Sequence, residues 1–114
     1  MTVRLLLVDD NEGLLAAYRI AAESPIEIVT ATTTEAARAE LVGQDFDWVV
    51  CDWHLAKGRT CAHLVHELHA NGTPVAIITA DPTAVTCSSE IPVLEKPLPL
   101  AGIVAALRGL GGDD

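Results

Sequence analysis

Aromatic residues are scarce in the 114-residue chain: two Trp, one Tyr and one Phe make up 4% of it. A core cannot be built from so few rings. It must come from Ala, Val, Leu and Ile, which suits closely spaced helices and parallel strands better than a β-sandwich. Basic residues are also few, seven against sixteen acidic, for a formal net charge of −9. That balance argues against a nucleic-acid or anionic-membrane surface, because both need clustered Lys and Arg. Metal cations and basic partners remain. Cysteine numbers three, an odd count without CxxC spacing. Cys51 lies in an apolar run, Cys61 on the apolar side of an expected helix and Cys87 in a loop-like stretch. These read as free thiols in a reducing compartment, which excludes a disulfide framework and a zinc site. No uninterrupted apolar run approaches the ~20 residues of a membrane span, and Arg4 begins no signal-peptide pattern. A cytoplasmic location is expected.

What is present is a folded composition with a regular alternation. Half the residues are hydrophobic, 20% are charged and the mean hydropathy is +0.34, so extended disorder is excluded. The length suits one domain. Val3 to Val8 reads as a strand buried on both faces, broken only by Arg4. Asp10 or Asn11 can cap a helix in which Leu14, Leu15, Tyr18, Ala21 and Ala22 share a face, ended by Ser24-Pro25. Ile26 to Thr30 is a second strand. Thr32 and Glu35 have capping-box spacing ahead of a helix from about Thr33 to Val42, closed by Gly43. Asp47 to Cys51 is a third strand, leading into Asp52. A polar loop precedes a helix from about Arg59 to Ala70, with Cys61, Leu64, Val65 and Leu68 on one stripe and Asn71-Gly72 as its stop. Pro74 to Thr79 and Ile91 to Leu94 are the fourth and fifth strands. Pro99 suits the first turn of a last helix with Leu100, Ile103, Val104 and Leu107 inward and Gly109 as cap. Residues 1–110 thus form one domain, and 111–114 a tail or the start of a linker.

Strand and helix alternation implies right-handed crossovers and a parallel sheet covered on both faces. The natural solution is an α/β, flavodoxin-like, doubly wound five-stranded parallel sheet of order 2-1-3-4-5. Ligands bind such sheets beyond the carboxyl ends of the strands. There the sequence places Asp9-Asp10 after the first strand, Asp52 after the third, Thr79 after the fourth and Lys96-Pro97 after the fifth. Two carboxylates ~4 Å apart repel by about 4 kcal/mol at an effective dielectric of 20. A hard divalent cation such as Mg²⁺ and the Lys96 ammonium both offset that cost. Cation, ammonium and the Thr79 hydroxyl together can hold the oxygens of a phosphoryl group while a carboxylate attacks in line.

Leu-Leu-Leu-Val-Asp-Asp-Asn-Glu, Trp-Val-Val-Cys-Asp-Trp, Ile-Ile-Thr-Ala and Glu-Lys-Pro, each at the appropriate strand end, make residues 3 to 109 resemble the receiver domains of two-component response regulators. The resemblance implies that Asp52 is the phosphoacceptor and that Asp10 is a direct Mg²⁺ ligand, with Asp9 acting through water. It implies that the His54 backbone carbonyl is a further metal ligand, that Thr79 and Lys96 hold phosphoryl oxygens, and that Lys96-Pro97 is cis. A histidine kinase or phosphotransfer protein is the implied donor. An effector domain or protein is the implied reader, a phosphorylation-dependent homodimer is compatible with it, and the only catalysis is of the domain's own phosphorylation and autodephosphorylation.

Some positions depart from the family pattern. The switch position three before the Lys is Val93, which carries no ring, and Ala56 and Thr60 replace the usual Pro and Gly after the acceptor, leaving Gly58 to supply flexibility. Only 17 positions separate Thr79 from Lys96. The stretch Asp81 to Ser89 is poor in helix formers, so the fourth helix is expected to be shortened or irregular. His54 and Asp81 lie two residues beyond Asp52 and Thr79, where they can tune the lifetime of an acyl phosphate. Trp53 is read as a packing residue that also offers an accessible fluorescent reporter. His63, His66 and His69 read as a solvated helix face. Two alternatives stand beside the switch: a phosphorylation-independent binding module, and an aspartyl-phosphate phosphohydrolase, which would want an Asp where His54 stands.

Overall fold

The computed structural model describes residues 2–87 and 90–110. Strands β1 (Val3–Val8), β2 (Ile26–Ala31), β3 (Trp48–Asp52), β4 (Val75–Thr79) and β5 (Val93–Glu95) form one parallel sheet in the order β2-β1-β3-β4-β5. Helices α1 (Glu12–Ala21), α2 (Thr34–Gly43), α3 (Ala62–Ala70) and α4 (Leu100–Leu110) cover it. The expected topology is the observed one.

Strict alternation along the strands divides the core in two. Leu6 and Val8 of β1, Val49 and Cys51 of β3, and Val75 and Ile77 of β4 pack with Ala37 of α2 and Leu64, Val65 and Leu68 of α3. Their neighbours Leu5, Leu7, Val50, Ala76 and Ile78 pack on the other face with Leu15 and Tyr18 of α1 and Leu100, Ile103 and Leu107 of α4. Period two is the side-chain repeat of a strand, and both faces are apolar because helices cover both. Each buried Leu or Ile contributes roughly 1.5–3 kcal/mol.

Several local features differ from the sequence reading. The α2 cap is Thr33, whose Oγ1 accepts from the Ala36 N–H at 3.0 Å, and Glu35 instead faces Thr34 and Arg59. The Thr32–Glu35 capping box therefore does not form. Helix α3 starts at Ala62, not Arg59, because the preceding backbone is committed elsewhere. Leu55 N–H donates to Arg59 O at 2.8 Å, Cys61 N–H donates to Trp53 O at 3.1 Å, and a 3-10 turn over Ala56–Gly58 holds Lys57 and Gly58 in the left-handed region. β5 begins after Pro92, which has no N–H for the ladder but whose carbonyl accepts from Ile77. Ile91 is buried outside that strand. Gly109 lies inside α4 and does not cap it. Among the described residues between β4 and β5, a single 3-10 turn, Pro82–Ala84, stands where a further long helix would be, as the low helix propensity of this stretch predicts. Ala84, Val85 and Cys87 pack from this segment onto the α2/α3 side of the core. The expected tail at 111–114 falls outside the described residues.

Cys51, Cys61 and Cys87 form no disulfide. Among the described residues no helix is long and apolar enough to cross a membrane.

Candidate functional site

The rows Leu5-Leu7 and Trp48-Val50, which face α1 and α4, continue by the same alternation into Asp9 and Asp52. β1 and β3 are adjacent, with Val8 opposite Cys51, so the two carboxylates come together one step further on. Asp9 and Asp52 are 4% and 8% exposed, whereas Asp10 is open to solvent. Carboxylate oxygens of all three lie within 4.8 Å of one another.

Lys96 closes the cluster. Its Nζ donates to Asp9 Oδ2 at 2.9 Å and to Asp52 Oδ2 at 3.1 Å. Both are charge-assisted bonds in a half-buried setting, where they are stronger than at an open surface. Lys96 is carried there by β5, and its backbone N–H donates to Thr79 O at 2.8 Å. Burial alone would pull the Lys96 ammonium down, but its hydrogen bonds and charge attraction to Asp9 and Asp52 outweigh that and leave it raised. Burial pushes the Asp52 carboxyl up, the Asp9 charge pushes it further, and Lys96 opposes both without cancelling them.

Asp9 Oδ1 also accepts from the Asn11 N–H at 2.9 Å, while Asn11 caps α1 by accepting from Leu14 N–H at 3.0 Å. The helix start and the acidic cluster are thus one piece. Three carboxylates offering oxygen atoms at this separation match the donor set of a hard divalent cation. Asp9, Asp10 and Asp52 are the residues that could hold one.

Thr79 stands at the adjacent strand end and is fully buried. Its Oγ1 accepts from the Asp81 N–H at 3.0 Å, which leaves the hydroxyl proton as its donor. Asp81 is exposed and accepts from the Thr83 hydroxyl at 2.6 Å, starting the 3-10 turn. The His54 side chain is exposed, and its backbone bridges Thr60. Val93 is exposed on β5. The structure therefore joins Asp9 and Asp52 through Lys96 with Asp10 close by, and gives Thr79, His54 and Asp81 separate contacts. Trp53 is buried, not the accessible group expected from its position. His63, His66 and His69 are exposed as expected, although His69 pairs with Glu90 at 3.1 Å. Lys96-Pro97 is cis.

One group near the site has no signal in the sequence. The Tyr18 hydroxyl donates to Leu98 O at 3.0 Å across 80 positions. Only the fold brings them together.

A doubly wound parallel sheet with this strand order is the fold of response regulator receiver domains. Among solved structures the chain is similar to the chemotaxis response regulator CheY4 of Vibrio cholerae, at 19% identity over 96% of this chain and 99% of that one, with a TM-score of 0.77. It is similar to the signal receiver domain of an HD domain-containing protein from Pseudomonas fluorescens Pf-5, at 24% identity over 95% and 85% of the two chains and a TM-score of 0.78. A third is a response regulator from Burkholderia pseudomallei, solved with a phosphorylated aspartic acid, a calcium ion and citrate: 19% identity, 92% and 66% coverage, TM-score 0.75. No protein-family model and no curated protein matches the sequence.

Proposed function

We propose that the chain is a phosphoacceptor switch of a two-component phosphorelay, with Asp52 as the acceptor. The observation that carries this reading is the single ammonium of Lys96 shared between two buried carboxylates beside a third. Such a cluster is costly as a purely structural device, and it is well suited to receiving a phosphoryl group.

In the reaction an Asp52 oxygen attacks the phosphorus of a phosphohistidine, or of a small acyl phosphate. The new O–P bond forms as the bond to the leaving imidazole or carboxylate breaks. Lys96 and the Thr79 hydroxyl compensate charge on the phosphoryl oxygens. Asp9 and Asp10, with Asp52 and the His54 carbonyl, would hold Mg²⁺, which supplies further charge neutralisation when bound. The partners are a histidine kinase or phosphotransfer protein as donor and an effector as reader. The net charge of −9 and the absence of a basic patch in the sequence fit a protein reader better than nucleic acid. The place of action is the cytoplasm, where a histidine kinase presents its phosphoryl group.

Incubation with acetyl phosphate and Mg²⁺, read by intact mass, tests the proposal. The expected result is one phosphoryl adduct that peptide mapping places on Asp52 and that Asp52→Asn abolishes. No adduct, together with no response to beryllofluoride, would favour a phosphorylation-independent binding module. Multiple turnover of a phosphate ester would favour a phosphohydrolase.

A further inference from the structure

The loop that carries Lys96 into the site is poorly equipped to hold itself. In Lys96-Pro97-Leu98-Pro99 two of the four residues have no backbone N–H. Lys96 is tied to β4 through its own N–H. Beyond it the chain leaves the sheet, and a groove of about 520 Å³ lined by Leu14, Ala17, Lys96 and Leu98 opens between α1 and this loop. Two contacts fix the far end. The Leu98 side chain lies so close to Gly102 of α4 that an added Cβ there would come within 2.7 Å of it. The Leu98 carbonyl accepts from Tyr18, whose ring is buried among the α1/α4 half of the core.

We infer that Tyr18 is a positioning residue for Lys96: its hydroxyl anchors the Leu98 carbonyl to α1, and so sets where the Lys96 ammonium stands between Asp9 and Asp52. The inference rests on the phosphoacceptor reading for its kinetic consequence, but not for its structural one. Helix α1 is capped by Asn11, whose N–H donates to Asp9, so the phenol ties the loop to the helix whose start is bonded to one of the two carboxylates. The phenol also lies near enough to feel the site. Burial raises its pKa, the Lys96 charge lowers it, and the Asp9 and Asp52 charges raise it. A Phe at this position would fill the same space and lose the tie.

Two measurements on Tyr18→Phe test this. Lysine occurs only at positions 57 and 96, so the side-chain methylene NMR signals next to the Lys96 ammonium are assignable by comparison with Lys96→Ala. In the wild-type protein they should differ from those of exposed Lys57, and in Tyr18→Phe they should move toward them. Phosphorylation of Asp52 by acetyl phosphate should slow roughly two- to tenfold, the worth of one hydrogen bond. It should show no further loss when Tyr18→Phe is added to Lys96→Ala. Unchanged Lys96 signals in Tyr18→Phe would overturn the inference, as would the same fold-loss in both backgrounds, which marks a merely structural role. Absence of any adduct on wild-type Asp52 would instead refute the phosphoacceptor reading, and the NMR comparison would still decide the role of Tyr18.

Discussion

At the scale of single residues, the site stores an unfavourable charge. Asp52 has a raised pKa because burial, and then Asp9, disfavour its ionised form more than Lys96 restores it. The folded protein therefore holds this proton more tightly than the unfolded chain. Stability falls as pH rises from the ordinary carboxylate value of 3.8 through the higher folded value, and the loss persists above it. Asp52→Asn should accordingly stabilise the fold at pH 7, with the gain disappearing below pH 3.8. Urea midpoints of the two proteins at pH 7 and pH 3 measure this. A variant less stable than the parent at pH 7 would show that the Lys96–Asp52 pair outweighs the repulsion.

At the scale of elements, the loops after β3 and β4 flank Asp52, the proposed acceptor, with exposed His54 and exposed Asp81. The role proposed for both side chains is to narrow the approach of water. Removing them together as His54→Ala, Asp81→Ala should shorten the life of the Asp52 adduct roughly tenfold, about 1.4 kcal/mol in the barrier. Decay of the phosphorylated mass peak in excess EDTA reads it, and an unchanged lifetime would exclude the pair as gatekeepers. These loops also mark where the sequence was legible. Asp9, Asp10, Asp52, Thr79 and Lys96 could be placed from strand ends alone, because alternation and length fix where a buried strand meets solvent. Capping-box spacing favours Thr32, but Thr33 and Thr34 offer equivalent hydroxyls, and it is Thr33 that accepts from the Ala36 N–H. The start of α3 was hidden by the Trp53–Cys61 and Leu55–Arg59 backbone bonds, and the role of Tyr18 by its distance in sequence from Leu98. Each of these is a tertiary contact without a local pattern.

For the whole molecule, the buried titratable groups predict a one-sided response to alkali. Cys51 is pushed well up by its hydrogen bond to Cys61 and by burial, and Cys87 is raised by burial. Tyr18 and Lys96 are also raised. The unfolded chain ionises Cys51 and Cys87 from about pH 9.0 and Tyr18 from 10.0, before the folded protein does, so stability falls through this range. The Lys96 contribution is intact below 10.5 and is lost as pH rises through its higher folded value. Urea unfolding under reducing conditions between pH 8 and pH 11 should show a steady decline beginning near pH 9, and a flat profile would contradict it. The division of the core into two faces has a consequence of another kind. Asp52 shares its parity with Val50, and Cys51 shares its parity with Val49 and belongs to the opposite layer. Deleting one residue early in β3 would leave the strand equally apolar and the outline of the sheet intact, yet it would turn Asp52 away from Lys96. The most damaging error this chain can suffer is thus one of counting, odd for even, which no gain in hydrophobicity can repair.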